Sequence, residues 1–266
     1  MNCFTLFILI SLPLISSFRI SPQDFALNYL RQFGYLKMIQ TRSPEETSNK
    51  QLIDAIKLFQ SYFNLNLTGK LDDQTLELMS RPRCGNPDIF NDDHISAMRS
   101  HDEKRKIFNG NFPSGKWSIR HITYRITNYQ PNYAQNIPYK VNISGVIETR
   151  YYNVSYDLTH QQVREIIKRA LDQWASVTEL TFEEVSPNQE ANIEFLFSFG
   201  QHGCRWSFDG PSNVLAHAFF PTSDQQGDVH FDYESWGEDP SKSVDLLVTT
   251  VHEFGHTLGL SHKEVI

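Results

Sequence analysis

Cysteine is scarce: the 266 residues hold three, Cys3, Cys84 and Cys204. That excludes a small fold stapled by several disulfides, the usual resort of exported chains too short to bury a core. No block of Lys or Arg occurs and the formal net charge is −7, so the charge pattern gives no reason to expect nucleic acid or an anionic membrane as partner. Apolar runs long enough to span a bilayer are missing as well. The longest, Phe4 to Ile15, is broken by Thr5, Ser11 and Pro13 and followed by Ser16 and Ser17, the pattern of a secretory signal over residues 1–17. If Cys3 leaves with that signal, Cys84 and Cys204 either pair with each other or each ligate a metal. The hydrophobic fraction of 39% and charged fraction of 21% rule out a disordered or fibrous chain, and the length suits two domains.

From Pro22, the residues Phe25, Leu27, Tyr29, Leu30, Phe33 and Leu36 recur at helical spacing until Gly34 interrupts. Leu52, Ile53, Ile56, Phe59, Gln60 and Phe63 form a second periodic face, and Thr68-Gly69 makes a turn before a third segment, Asp72 to Met79. Residues 18–81 are therefore expected to be a compact three-helix domain. Residues 82–109 follow as a segment bearing Cys84 and then a linker, polar from His94 to Pro113 and open to proteases.

The rest, residues 110–266, mixes strand and helix signals. Ile119, Ile122, Tyr124 and Ile126 suggest an opening strand, and the Tyr- and Asn-rich stretch from Asn128 to Asp157 has no firm period and is expected to be a long surface loop. Thr159 to Gln162 has the spacing of a capping box ahead of the apolar face Val163, Ile166, Ile167, Ala170, Leu171, Trp174 and Val177. Strands are expected at Leu180–Val185, Asn192–Phe197, Val214–Phe220 and Asp228–Phe231, then a helix from Val244 to Leu258 capped by Ser243. The fold class is α+β.

On that last helix, His252 and His256 are one turn apart on one face and can both point at one ion. Gly259 can end the helix in a left-handed conformation and return His262 as a third ligand. Three histidines leave the fourth tetrahedral position of a zinc ion open, the arrangement of a catalytic rather than a structural site. Glu253 stands beside them as the general base that takes a proton and hands it to a leaving amine, which is peptide hydrolysis without a covalent intermediate.

The run His252-Glu253-Phe254-Gly255-His256-Thr257-Leu258-Gly259-Leu260-Ser261-His262 resembles the metzincin zinc signature in its matrix metalloproteinase form, and Pro82-Arg83-Cys84-Gly85-Asn86-Pro87-Asp88 is similar to that family's cysteine switch. The resemblance implies a secreted zymogen whose Cys84 thiolate fills the open zinc position, with an Arg83–Asp88 ion pair bracketing the loop. It also implies a twisted mixed sheet with two long helices behind a helical propeptide similar to peptidoglycan-binding modules. The attached switch decides between those two ancestries for inhibition.

Further site residues come by the same resemblance. His202, His217 and His230 match a structural zinc site in which Cys204 stands where the family has Asp. Asp209, Asp232 and Glu234, with carbonyls of Gly210, Ser212 and Val214, resemble a calcium site, although the family has one more residue before Trp236. Leu215 and Ala216 fall on the edge strand that pairs with extended substrate. Sequons begin at Asn66, Asn142 and Asn153 and would carry glycans. Expected partners are extracellular proteins such as matrix components, activating proteases and tissue inhibitors of metalloproteinases, bound by a monomer. Two departures stand out: the 128–157 stretch is longer than the family's connection, and Ile266 comes four residues after His262, with no methionine turn or propeller domain. The second departure suggests reduced activity, and leaves a catalytically impaired metal-binding decoy or truncated isoform as the rival reading.

Overall fold

The computed structural model of the chain describes residues 21–36, 49–90, 115–130, 133–143, 146–155, 158–204, 206–210, 213–223, 225–239 and 243–262. The segment expected as a signal, most of the expected linker, Ser212 and residues 263–266 lie outside that set, as do the side chains at Asn142 and Asn153.

Three helices open the fold: α1 (Pro22–Gln32), α2 (Asn49–Tyr62) and α3 (Asp73–Met79). α1 starts where Ser21 accepts the Asp24 amide with Pro22 in the first turn, and α3 starts where Asp72 accepts the Thr75 amide. Their apolar faces meet in one cluster built on Leu30, Phe33, Ile56, Phe59 and Met79. Phe208 and Val214, from the far side of the switch segment, are buried in the same cluster. The helical module is thus docked on the rest of the chain through a shared core, and each large side chain so buried contributes roughly 1.5–3 kcal/mol.

The larger core belongs to a six-stranded sheet. Its strands are β1 (Arg83–Cys84), β2 (His121–Ile126), β5 (Thr181–Glu184), β6 (Ile193–Ser198), β7 (Val214–Ala218) and β8 (Val229–Asp232), in the order β1-β7-β8-β6-β2-β5. Every neighbouring pair is parallel except β7 with β8. Ile193, Phe195 and Phe197 alternate with half-buried residues along β6 and share one core with residues of the helices α4 (His160–Val177) and α5 (Leu246–Thr257). Phe254 of α5 is fully buried against Phe195 and Phe182. The α+β expectation and the helical module followed by a mixed sheet stand.

Two local expectations do not. The stretch expected as a loop contains an antiparallel hairpin, β3 (Tyr133–Ile143) with β4 (Val146–Ser155), paired up to Ile143 with Val146. Its register shifts between Ala134 and Ile137, which breaks the period by which a strand is recognised. The last helix begins at Leu246 with Asp245 as cap, accepting the Val248 amide at 3.0 Å, not at Val244 with Ser243. Val244 and Asp245 are instead taken up by β10, parallel to β9 (Trp236–Gly237). The capping box on α4 forms as expected: Thr159 Oγ1 accepts the Gln162 amide and Gln162 Oε1 accepts the Thr159 amide.

Candidate metal centre

α5 carries His252 and His256 one turn apart. The helix stops because Gly259, at φ 99°, takes the left-handed conformation, and its amide and that of Leu260 bond back to the carbonyls of His256 and Gly255. That reversal returns His262 to the pair, with ring centroids 5.3 Å from His252 and 4.8 Å from His256. His256 Nδ1 meets the Leu260 carbonyl at 2.7 Å and His262 Nδ1 meets Asp88 Oδ1 at 2.7 Å, so each keeps its Nε2 for another partner.

The other partner arrives from the edge of the sheet. β1 pairs with β7 in the order Arg83 with Val214 and Cys84 with Ala216; the Arg83 amide donates to Asn213 and the Gly85 amide to Ala216. A Cβ on Gly85 would stand 2.7 Å from Val214 Cγ1, so only glycine permits this approach. Asn86 continues the pairing with its side chain, donating Nδ2–H to the Ala218 carbonyl and accepting the Ala218 amide on Oδ1. Cys84 Sγ is thereby set 3.3 Å from Glu253 Oε2 and 3.5 Å from His256 Nε2, and it accepts the Asn86 amide.

The segment is clamped from behind. Arg83 and Asp88 form the expected ion pair, with Nη2 to Oδ1 at 2.5 Å and Nη1 to Oδ2 at 3.0 Å. Tyr35 donates to Asp88 and Arg83 donates to Tyr29, while the guanidinium lies 3.8 Å above the Phe33 ring. Burial opposes ionisation of Asp88, but the hydrogen bonds from His262 and Arg83 and their charges outweigh it and bring the carboxyl to about 2.

Cys84, His252, His256 and His262 each offer a ligand atom within 4.8 Å of the others. His252 Nε2 and Glu253 Oε1 are buried with no hydrogen-bond partner, which a protein tolerates poorly unless a further species satisfies them. Burial, then neighbouring charges, lowers His252 to about 4 and His256 well below the usual range, leaving both imidazoles neutral as metal ligation needs. Burial and then the Glu253 carboxylate push the Cys84 thiol up, a penalty that only a cation among these atoms reverses. The donor set fits zinc: three imidazoles, one sulfur, and burial that excludes competing water. Burial likewise raises Glu253 to about 8.

A second cluster lies beside it. His217 and His230 face each other across the antiparallel pair β7/β8, and the loop after β6 brings His202 and Cys204 to them. Cys204 Sγ is 3.1 Å from His202 Nε2 and 3.3 Å from His217 Nε2, while His230 Nδ1 is within 3.2 Å of both other imidazoles. Phe208, buried in the helical module's core, stacks on His202 with ring centroids 4.4 Å apart. Burial pushes His230 down to about 3 and Cys204 up to about 11.

The acidic residues also gather. Asp209 and Asp232 are pushed up, to about 6 and about 9, by burial first and by neighbouring carboxylates including Glu234. The Val214 amide donates to Asp209, the Gly210 amide to Asp232, and Gln130 holds the Glu234 backbone through both its amide and carbonyl. Leu215 and Ala216 are on the β7 edge that β1 occupies. Asn66 is exposed between α2 and α3. Sequence reasoning missed Tyr29, Tyr35, Asn86, Gln130 and Phe208, whose roles appear only through partners distant in the chain.

Residues 142–266 match the Matrixin family and residues 26–79 a peptidoglycan binding domain. Macrophage metalloelastase from Oryctolagus cuniculus is 34% identical over 240 residues, covering 90% of this chain and 43% of its own. Stromelysin-1 from Mus musculus is 36% identical, covering 91% and 41%, and Matrix metalloproteinase-16 from Rattus norvegicus is 34% identical, covering 88% and 35%. The chain spans less than half the length of each of these relatives. The likeness to these relatives runs through most of the chain, which accordingly carries a Matrixin domain over residues 142–266 behind a peptidoglycan-binding module over residues 26–79.

Proposed function

We propose that this chain is the latent form of a secreted zinc endopeptidase that cuts internal peptide bonds of extracellular proteins, matrix components among them. The observation that carries the reading is the buried meeting of Cys84 Sγ with Glu253 and the three histidines of α5 and its return. His252, His256 and His262 would hold zinc, which when bound polarises a scissile carbonyl and lowers the pKa of water to about 7.

The chain's own residues supply the rest. Glu253, next to His252 on α5 and facing Cys84 Sγ at 3.3 Å, is placed to take a proton and return it to the departing amine. An extended substrate would add to the β7 edge at Leu215 and Ala216, in the place of Arg83–Cys84. Activating proteases would act on the linker within 82–109 or just beyond it, and tissue inhibitors would compete for the cleft so opened. His202, Cys204, His217 and His230 are read as a structural zinc site, with Cys204 as the fourth ligand because its sulfur is within 3.3 Å of two of the imidazoles. Asp209, Asp232 and Glu234 are read as calcium ligands, because three carboxylates buried together are otherwise mutually repulsive. Asn66 is the exposed candidate for a glycan.

The test is cleavage of denatured collagen by the zinc-loaded chain, before and after a linker-cutting protease, with and without a zinc chelator. The reading expects cleavage only after the cut and none with chelator. A cut, zinc-loaded chain that cleaves nothing would replace it with the metal-binding decoy.

A further inference from the structure

Asp88 follows Cys84 by four positions, and both reach the histidine cluster. Asp88 Oδ1 lies 2.7 Å from His262 Nδ1, with both side chains almost wholly buried, at 1% and 3% exposure. The two other imidazoles of the cluster are fixed differently. His256 is held by the Leu260 carbonyl of its own loop, and His252 by its place on the helix, with its Nε2 buried and unpartnered. Among the described residues, His262 alone of the three has its Nδ1 held by a side chain of the inhibitory segment, whereas Cys84 meets His256 at Nε2.

We propose that Asp88 is the positioning residue of His262, so that the segment that covers the zinc position also holds one of the zinc ligands. A carboxylate accepting Nδ1–H fixes the imidazole as the tautomer whose Nε2 lone pair faces the cluster, locks the ring plane and raises its basicity as a ligand. Asp88 is also held on its other side, where Arg83 donates to both oxygens and Tyr35 donates to Oδ2, so Tyr35 still holds the carboxylate if the ion pair is lost. Removal of the segment then takes away two things at once, the sulfur of Cys84 and the brace of His262. The zinc of the uncut chain is held more tightly than loss of one sulfur ligand accounts for. This inference rests on the zinc reading above.

The experiment follows zinc release from the full-length chain into a colorimetric chelator; the phase that belongs to this site is the one missing in His256→Ala. Asp88→Asn is expected to speed that phase about 10-fold or more, the usual effect of losing such a partner. Arg83→Met, which breaks the ion pair but leaves Asp88 facing His262, is expected to speed it much less. Equal effects of the two variants would overturn the inference, because Asp88 would then act only by docking the loop. No effect of Asp88→Asn would overturn it as well.

Since Asp88→Asn can unfold a buried network, a second measurement uses the unaltered zinc-loaded chain. Nitrogen-15 spectra of the His262 ring should show Nδ1 protonated, its proton slow to exchange, and Nε2 shifted by the metal. The opposite tautomer would refute the positioning role while leaving the zinc reading intact. Absence of any zinc at the site would refute both.

Discussion

Cys84 Sγ and Glu253 Oε2 lie 3.3 Å apart, a separation that leaves no room for a water molecule between them. On the proposed reading, the thiol covers the carboxylate that would move a proton. Chemistry and its suppression therefore compete for the same few ångströms, and the two groups can be tested separately.

Changing Cys84→Ser should give the uncut, zinc-loaded chain peptide-cleaving activity, because a hydroxyl is a far poorer zinc ligand than a thiolate. The Arg83–Asp88 clamp would still hold the loop nearby, so activity should be lower than in the cut protein. Comparable, negligible rates in uncut Cys84→Ser and the uncut parent would reject the thiol as the agent of latency.

Glu253→Ala should leave zinc content unchanged and reduce turnover of the cut protein by about 100-fold or more, the scale of general acid–base work. Metal analysis and a cleavage assay on the same preparation decide it. Zinc loss in parallel with activity would mean that the carboxylate serves the metal and not the proton.

At the second cluster, Cys204→Ala removes a sulfur that lies 3.1 Å from His202 Nε2 and 3.3 Å from His217 Nε2. Zinc retained per chain after dialysis against a weak chelator should fall, whereas Cys204→Asp should retain more of it, oxygen being an adequate fourth ligand. Identical retention in the parent and both variants would remove Cys204 from the site.

The acidic group supplies a pH prediction. Asp209 and Asp232 are raised from 3.8 to about 6 and about 9 in the cation-free fold, with burial as the larger cause. The folded chain therefore keeps protons that the unfolded chain has released, and their contribution to stability is full below about pH 4 and lost as pH rises toward 9. A bound calcium ion compensates the charges. Calcium should raise the melting temperature more at pH 8 than at pH 5, and equal shifts at the two values would argue against a site there.

Much of the histidine cluster was legible because its geometry is local. One helical turn sets His252 against His256, and a single glycine, at position 259, reverses the chain. The fold class was legible for a similar reason, since β6 and α4 each show their buried face as a period. The hairpin was not, because a register shift near Ala134 interrupts β3, and the Ser144-Gly145 dipeptide between two stretches rich in Val, Ile and Tyr was the one local sign of it. The start of α5 was misplaced because Ser243 and Asp245 are equally good caps, and pairing of Val244 with Trp236 decides between them. Asp88 with His262, 174 positions apart, is a purely tertiary relation that no window of sequence contains.

One feature of the sheet bears on how such a protein is stored. β7 would be an outer strand but for β1 and the two residues after it: the Arg83 and Gly85 amides and the Asn86 side chain satisfy carbonyls along β7 from Asn213 to Ala218. An uncovered strand edge is a template on which a second molecule can grow its own sheet. By covering that edge, the segment would protect the uncut chain against self-association, and the concentration at which the protein stays dispersed should drop once the segment leaves.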